Sequence, residues 1–284
     1  ILSKYIGWGG LSEVFDKDNN SFSAEFTQLK ASLSEDEYDM ARASTLNAHY
    51  TSPTVIKAIY NAVERMGFST GNILEPACGI GNFFGLLPDS MTDSRLYGIE
   101  LDSITGRIAK QLYPNANIAI TGFEKTELPD SFFDLAIGNV PFGNYKLSEK
   151  RYDSQGFLIH DHFFAKALDK VRPGGVVAFI TSKGTMDKQS PEVRRYLAQR
   201  AELLGAVRLP NNAFLKNAGT EVTSDILFLQ KRDRPIDVDR DWINLDKNEN
   251  DITLNRYFAD HPEMILGKME MKSGQFGMES TCTP

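Results

Sequence analysis

The sequence predicts an α/β protein built on a doubly wound, mostly parallel, seven-stranded Rossmann-like sheet with helices on both faces. Three observations predict it. From residue 49 to residue 232, segments with apolar residues at helical spacing alternate with short β-rich runs, the order that builds βαβ units. A glycine-rich turn, Gly79-Ile80-Gly81, joins the first of those runs to a helical one. The run "GGVVAFITS" is apolar on both faces, as a strand covered by helices on both sides must be.

The alternation begins with a helix over 53–66, with Thr51 or Ser52 as its cap ahead of Pro53. Strands over 72–76, 96–101, 117–121 and 133–138 are expected, with helices over 81–87 and 103–112 between the first three. "HDHFFAKALDKV" has helical spacing, and "RPGGVVAFITS" is a strand entered from a Gly-Gly turn. A helix over 191–201 and the strands "LLGAVRLP" and "SDILFLQKR" complete the sheet. Residues 1–48 form a helical N-terminal extension in which no chemistry is legible; Ser34 is the expected N-cap of "SEDEYDMARASTLNAHY", with acids in the first turn. After residue 232 the composition turns acidic and polar, so 233–284 is expected to be a linker and an irregular tail around a central α/β domain at 49–232.

The 284 residues, 41% of them hydrophobic, are enough for a proper core. No window approaches the roughly 18–20 apolar residues of a membrane span, and no charged-then-apolar leader is present. A soluble, cytoplasmic protein is expected. Cys78 and Cys282 are far apart and show no CxxC spacing, which disfavours a zinc site and fits a reducing compartment. The net charge of −7 lacks the basic field of a free-standing nucleic-acid binder. Contact with nucleic acid is therefore expected through a local patch or through domains outside this chain. Starting at Ile1 and ending on "ESTCTP", the sequence reads as a piece of something longer.

"NILEPACGIGNFFG" is a strand, a glycine-rich turn and a helix start, which lets backbone N–H groups approach a polar ligand. Gly-x-Gly-x-x-Gly would mark a dinucleotide site, but Phe84 stands in the third place and Gly85 comes one residue late, so NAD is disfavoured. Glu75 closes the first strand. Glu100, in "LYGIELD", closes the second, 19 residues after Gly81, where a carboxylate can accept from both hydroxyls of a ribose. A solvated strand end is the bland alternative for Glu100 and Asp102; joined to the glycine loop, the nucleoside reading is favoured. "NVPF" at 139–142 would by itself be a turn closing a strand.

In that order the pieces resemble the class I S-adenosylmethionine-dependent methyltransferases, and in detail the amino-group DNA methylases, over residues 49–231. "AHYTSP" is similar to that family's opening motif, "LEPACGIGNF" to its cofactor loop, "YGIELD" to its ribose acid and "NVPF" to its catalytic tetrapeptide. The motif order is that of the subgroup containing type I restriction methylase subunits. "GWGGLSEVFD", "NVPFG" and "RLPNNAF" resemble methylase segments of large plasmid and conjugative-element methylase-helicase proteins.

The resemblance implies an enzyme of restriction-modification or mobile-element type that transfers a methyl group from S-adenosyl-L-methionine to N6 of adenine in DNA. It implies cofactor contacts at Tyr50, Thr51, Glu75, Pro76, Ala77, Gly79, Gly81, Asn82, Phe83, Glu100, Leu101, Phe123 and Asn139, and a catalytic set of Asn139, Val140, Pro141 and Phe142. The Asn139 side chain and the Val140 carbonyl would accept the two amine hydrogens, and Phe142 would stack on the base. The family usually has Pro in the second place; Val140 loses a ring but still precedes Pro141, which favours an extended conformation. Phe123, in "GFEKTELPD", would line the adenine pocket; a core role is the alternative. The alternatives for function are another planar amine, on protein glutamine or RNA, and a catalytically degenerate domain that only binds cofactor or DNA. No metal is expected: His160 and His162 lack an acid or cysteine at ligand spacing and read as structural or surface residues. Lys146, Lys150, Arg151, Arg194 and Arg195 are either phosphate contacts or solvated charge. Recognition of the DNA sequence is expected to lie outside this chain, the alternative being a full protein with little sequence preference.

Overall fold

The apolar runs pair where the patterning puts them. A computed structural model of the chain describes residues 2–5, 7–9, 11–45, 51–215, 221–274 and 277–284. The strands β1 (Asn72–Glu75), β2 (Arg95–Glu100), β3 (Asn117–Ile120), β4 (Phe133–Asn139), β5 (Val171–Ser182), β6 (Ala201–Leu209) and β7 (Ser224–Lys231) form one sheet in the order β3-β2-β1-β4-β5-β7-β6. β1 to β5 pair in parallel, and β7 runs antiparallel to both β5 and β6.

Alternate residues of each central strand feed opposite faces, so continuous apolar runs fill two cores. On one face Ile73, Leu135, Ile137, Ala178 and Ile180 pack with Ile56, Ile59, Tyr60 and Val63 of α3 (Pro53–Arg65). Ser52 caps α3 by accepting from the Val55 N–H, and Pro53 opens its first turn. On the other face Leu74, Ala136, Val177, Phe179 and Leu227 pack with α6 (Ile159–Lys170) and α8 (Glu192–Arg200). The helix expected over 81–87 is one turn, α4 (Asn82–Gly85), because Leu86 turns out of helical geometry and Pro88 follows. α5 (Ser103–Leu112) covers the β3 edge, and α7 (Gly184–Asp187) follows β5.

The N-terminal extension carries α1 (Ser23–Ser32) and α2 (Glu35–Ser44). Ser34 and Glu37 form a full capping box at the start of α2, and Glu37 reaches on to Arg107 of α5. Trp8, Phe15, Phe26 and Tyr38 make the small core of this unit.

The stretch expected to be a linker and irregular tail is ordered. It holds the two-stranded sheets β8–β9 (Leu245–Lys247, Thr253–Asn255) and β10–β11 (Lys268–Gly274, Gly277–Thr283), and the helix α9 (Arg256–Asp260). Trp242, Ile243, Leu254 and Phe258 are buried in the main core between charged neighbours, which is why the composition looked like a linker. Arg208 is fully buried, donates to both carboxylate oxygens of Asp225 at 2.8 and 2.9 Å, pairs with Asp187 at 2.8 Å and lies 4.3 Å from the Phe258 ring centre. Arg194, expected at a surface, is also buried: it donates to the carbonyls of Ile243 and Lys188, so it is not available to a phosphate.

Replacing Phe258 with Ala is expected to cost about 3–5 kcal/mol, the range for a buried aromatic. Urea unfolding should show it as a shifted midpoint of the whole protein; a shift below ~0.5 kcal/mol would mean that α9 packs as a dispensable tail.

Candidate active site

In an open sheet a cleft forms where the strand order reverses, outside the carboxyl ends of the strands. Here that point lies between β1 and β4. A cleft of about 340 Å³ opens there, walled by the loops that leave β1, β2, β3 and β4.

The β1 loop is shaped by backbone that only glycine adopts easily. Gly81 sits at φ 87° at the start of α4, and a Cβ there would lie 2.5 Å from the Tyr113 ring. Glu100, at the end of β2, holds the loop: its Oε2 accepts from the Gly79 N–H at 2.9 Å, and its Oε1 accepts from the Asp102 N–H at 2.8 Å. Burial pushes the Glu100 carboxyl up to about 7, with those N–H groups opposing the shift. Asp102 in turn caps α5 through the Ile104 and Thr105 N–H groups.

Glu75 is 2% exposed, and its Oε2 has no hydrogen-bond partner among the described residues. Burial, and then the nearby charge of Glu100, push its carboxyl well above the usual range. Glu75 and Pro76 also meet the end of β4. Gly138 has φ 151°, and a Cβ there would come 3.3 Å from Glu75 Cγ, so the two loops touch without a side chain between them.

Asn139 ends β4 in register with Ile180 of β5. The Val140 N–H donates to the Ile180 carbonyl at 3.1 Å, and the Val140 side chain is 1% exposed in the core. A Pro in this place could not make that bond. Phe123 packs against Phe163 with ring centres 4.9 Å apart and also faces the cleft, so the pocket and core roles coincide.

Of the residues singled out from the sequence, Thr51, Glu75, Pro76, Ala77, Gly79, Asn82, Phe83, Glu100, Leu101, Phe123, Asn139 and Pro141 line this one cleft. Tyr50 lies outside the described residues. Gly81, Val140 and Phe142 are not on its walls: Gly81 packs at Tyr113, Val140 is in the core, and Phe142 is half-buried beside Pro141. Sequence reasoning missed Tyr145, Leu147, Ile159 and Phe163, and it missed Gly7, Trp8, Ala43 and Ser44, which the N-terminal extension brings to the cleft. The glycine-flanked tryptophan in "GWGG" was their one available signal. His160 and His162 are buried on α6, where His162 Nε2 lies 2.8 Å from Glu149 Oε2. Arg151 is taken up by Asp130 and Asp169. Among the described residues no cluster of metal-binding side chains occurs, and no helix is long and apolar enough to cross a membrane.

Residues 36–261 match the family described as N-6 DNA Methylase. The chain is 30% identical over 193 residues to the Defense against restriction protein B of Escherichia phage P1, an alignment covering 66% of this chain and 8% of that protein. It is 24% identical over 226 residues to the type I restriction enzyme EcoEI methylase subunit of Escherichia coli, covering 68% and 44%. The chain thus spans less than half of either relative. Among solved structures it resembles the type I restriction enzyme EcoKI M protein, with a TM-score of 0.53 at 16% identity over 79% of this chain and 54% of that one. A candidate class I S-adenosylmethionine-dependent methyltransferase from Listeria monocytogenes gives 0.56 at 17% identity over 78% and 76%. These structural likenesses bear out the expected sheet.

The buried acids make stability depend on pH in a set direction. Glu100 and Glu75 hold protons in the folded protein that the unfolded chain releases near pH 4.3. The contribution of these two acids to the stability of the ligand-free protein is therefore largest below that value and falls as pH rises toward 7. Glu100→Gln should flatten the fall by about one proton per molecule, read from urea midpoints between pH 5 and 8; parallel curves for the two proteins would contradict it.

Proposed function

Because the chain belongs to the N-6 DNA methylase family, we propose that it transfers a methyl group from S-adenosylmethionine to the N6 amine of adenine in DNA. One observation carries the reading: Asn139 and Pro141 line the same cleft as the Gly79 loop and Glu100, so an acceptor for an amine and a seat for a nucleoside share one cavity. We place residues 49–232 as the catalytic unit, with 1–48 and 233–284 packed around it. The reaction belongs in the cytoplasm, which fits two buried cysteines with no disulfide.

The residues present fit the cofactor. Its nucleoside hydroxyls find an acceptor in Glu100, which uses one lone pair on each oxygen for backbone N–H groups and keeps the others. Its positive charge would meet the buried Glu75 carboxyl, whose Oε2 has no other partner among the described residues and which gives up its proton as the cation binds. Phe123 and Leu101 supply apolar walls for a base. When bound, the cofactor supplies a methyl group on a sulfonium.

The chain must then prepare a poor nucleophile. The exocyclic amine of adenine shares its lone pair with the ring, and two acceptors aimed at its two N–H bonds draw the nitrogen toward a tetrahedral shape. Asn139 Oδ1 and the Val140 carbonyl take those roles. The Val140 N–H bond to Ile180 and its buried side chain hold this backbone, replacing the rigidity of the Pro found elsewhere in the family. Phe142 stacks on the base, worth about 1–3 kcal/mol. That contact helps offset the few kcal/mol of flipping the base from a duplex. DNA recognition draws on segments beyond this chain, whose net charge is −7.

Radiolabelled methyl transfer to DNA, RNA and protein is the test. Adenine-N6 label on DNA that drops by about 10²–10³ in Asn139→Ala supports the reading. Label on RNA or on glutamine would move the substrate assignment, and cofactor binding with no transfer to any substrate would mark a degenerate domain. Val140→Pro, although it restores the common family tetrapeptide, is expected to lower activity. It should also destabilise the fold by about 1–3 kcal/mol, since the Ile180 carbonyl loses its donor; a more active, equally stable variant would show that the bond is immaterial.

Affinity for the cofactor should rise about tenfold from pH 6 to pH 8, as Glu100 passes through about 7 and ionises. Calorimetric titrations across that range check it.

A further inference from the structure

The extension ahead of α3 reaches the cleft with Trp8, whose buried indole N–H makes no hydrogen bond of normal geometry among the described residues. The Tyr5 hydroxyl, one ring away at a centroid distance of 6.4 Å, is held loosely by Thr105 and Trp8, without a hydrogen bond of normal geometry. Leaving a buried donor unpaired costs about as much as a lost hydrogen bond, so such groups in native proteins call for an explanation.

The aromatic ring of Trp8 is not free to turn away. It packs edge-on against Phe15 at 5.7 Å, and Phe15 packs against Tyr38 of α2 at 5.3 Å. α2 is itself tied to α5 by Glu37 and Arg107. Tyr5 feels the charges of Asp102 and Glu100, which places this corner at the β2–α5 turn, the nucleoside side of the cleft.

We infer that Trp8 is a cofactor-contacting residue: its ring closes the nucleoside end of the cleft, and its indole N–H donates to an acceptor atom of the bound nucleoside. The inference rests on the S-adenosylmethionine reading above. It gives the N-terminal extension a direct part in binding, beyond covering α5.

The protein has two tryptophans, Trp8 and Trp242, and the second is buried in the main core. Trp242→Phe therefore leaves Trp8 as the sole tryptophan reporter. Adding S-adenosylhomocysteine to this variant is expected to change its emission with a midpoint equal to the calorimetric Kd. Trp8→Phe keeps a ring but loses the N–H, and is expected to raise the Kd for S-adenosylhomocysteine about tenfold. Its ligand-free melting temperature should be no lower than that of the unaltered protein, because a buried unpaired donor has been removed. A purely structural Trp8 would show the reverse: a lower melting temperature and a Kd within twofold of the unaltered protein. That result, with the unaltered protein still binding, overturns the inference alone. A rise in the KM for DNA with no change in cofactor Kd also overturns it, by assigning Trp8 to the target base. Absence of cofactor binding in the unaltered protein overturns the functional reading and this inference together.

Discussion

The carboxylate of Glu100 is the constraint on which the cleft depends. Each of its oxygens accepts one backbone N–H, from Gly79 and from Asp102, and so it joins the loop after β1 to the turn after β2. The Cys78 N–H also donates to the Ile99 carbonyl at 2.9 Å, so backbone pairing holds the loop after β1 up to that point and Glu100 holds it from Gly79 on. A single side chain, emerging where β2 ends, does what a sheet hydrogen bond would do without closing the gap. Asp102 then passes the order on to α5 by capping it. Once these loops are fixed, the end of β4 has one place to go, against Glu75 and Pro76 across the bare backbone of Gly138.

Such an arrangement has an electrostatic cost. Burial raises the proton affinity of both carboxyls; the charge of Glu100 raises that of Glu75 further, and the charge of Asp102 that of Glu100. An acidic chain that concentrates negative charge in its cleft is suited to a cationic cofactor and poorly suited to holding a phosphate backbone alone.

The βαβ core was legible because its signals are local. Ser52-Pro53 ahead of an amphipathic run, the glycine turn after β1, and the alternating Ile73-Leu74 and Leu135-Ala136-Ile137 need no distant partner to be read. The acids at the ends of β1 and β2 were legible for the same reason: strand ends at a switch point are where ligands bind. What stayed hidden depends on tertiary contact. Trp242 and Phe258 are isolated among charged residues, and only the burial supplied by α8 and β6 makes them core. Arg194 looks like surface charge until the carbonyls of Ile243 and Lys188 close on its guanidinium. Trp8 reaches the cleft because α2 docks on α5, a contact between segments some 70 residues apart that no periodicity announces.

The position of β7 between β5 and β6 has a consequence for how the chain can be assembled and cut. β5 and β6 are neighbours in sequence but never touch as strands; each waits for a segment that emerges after both. Until Ser224–Lys231 arrives, the nascent chain presents β5 as a long apolar edge, the kind that recruits foreign strands. Any boundary drawn upstream of residue 231, whether by a ribosome pausing, a protease or a cloning scheme, releases a species with an open edge and incomplete core. The half of the sheet away from the cleft thus governs whether the half with the cleft is ever completed.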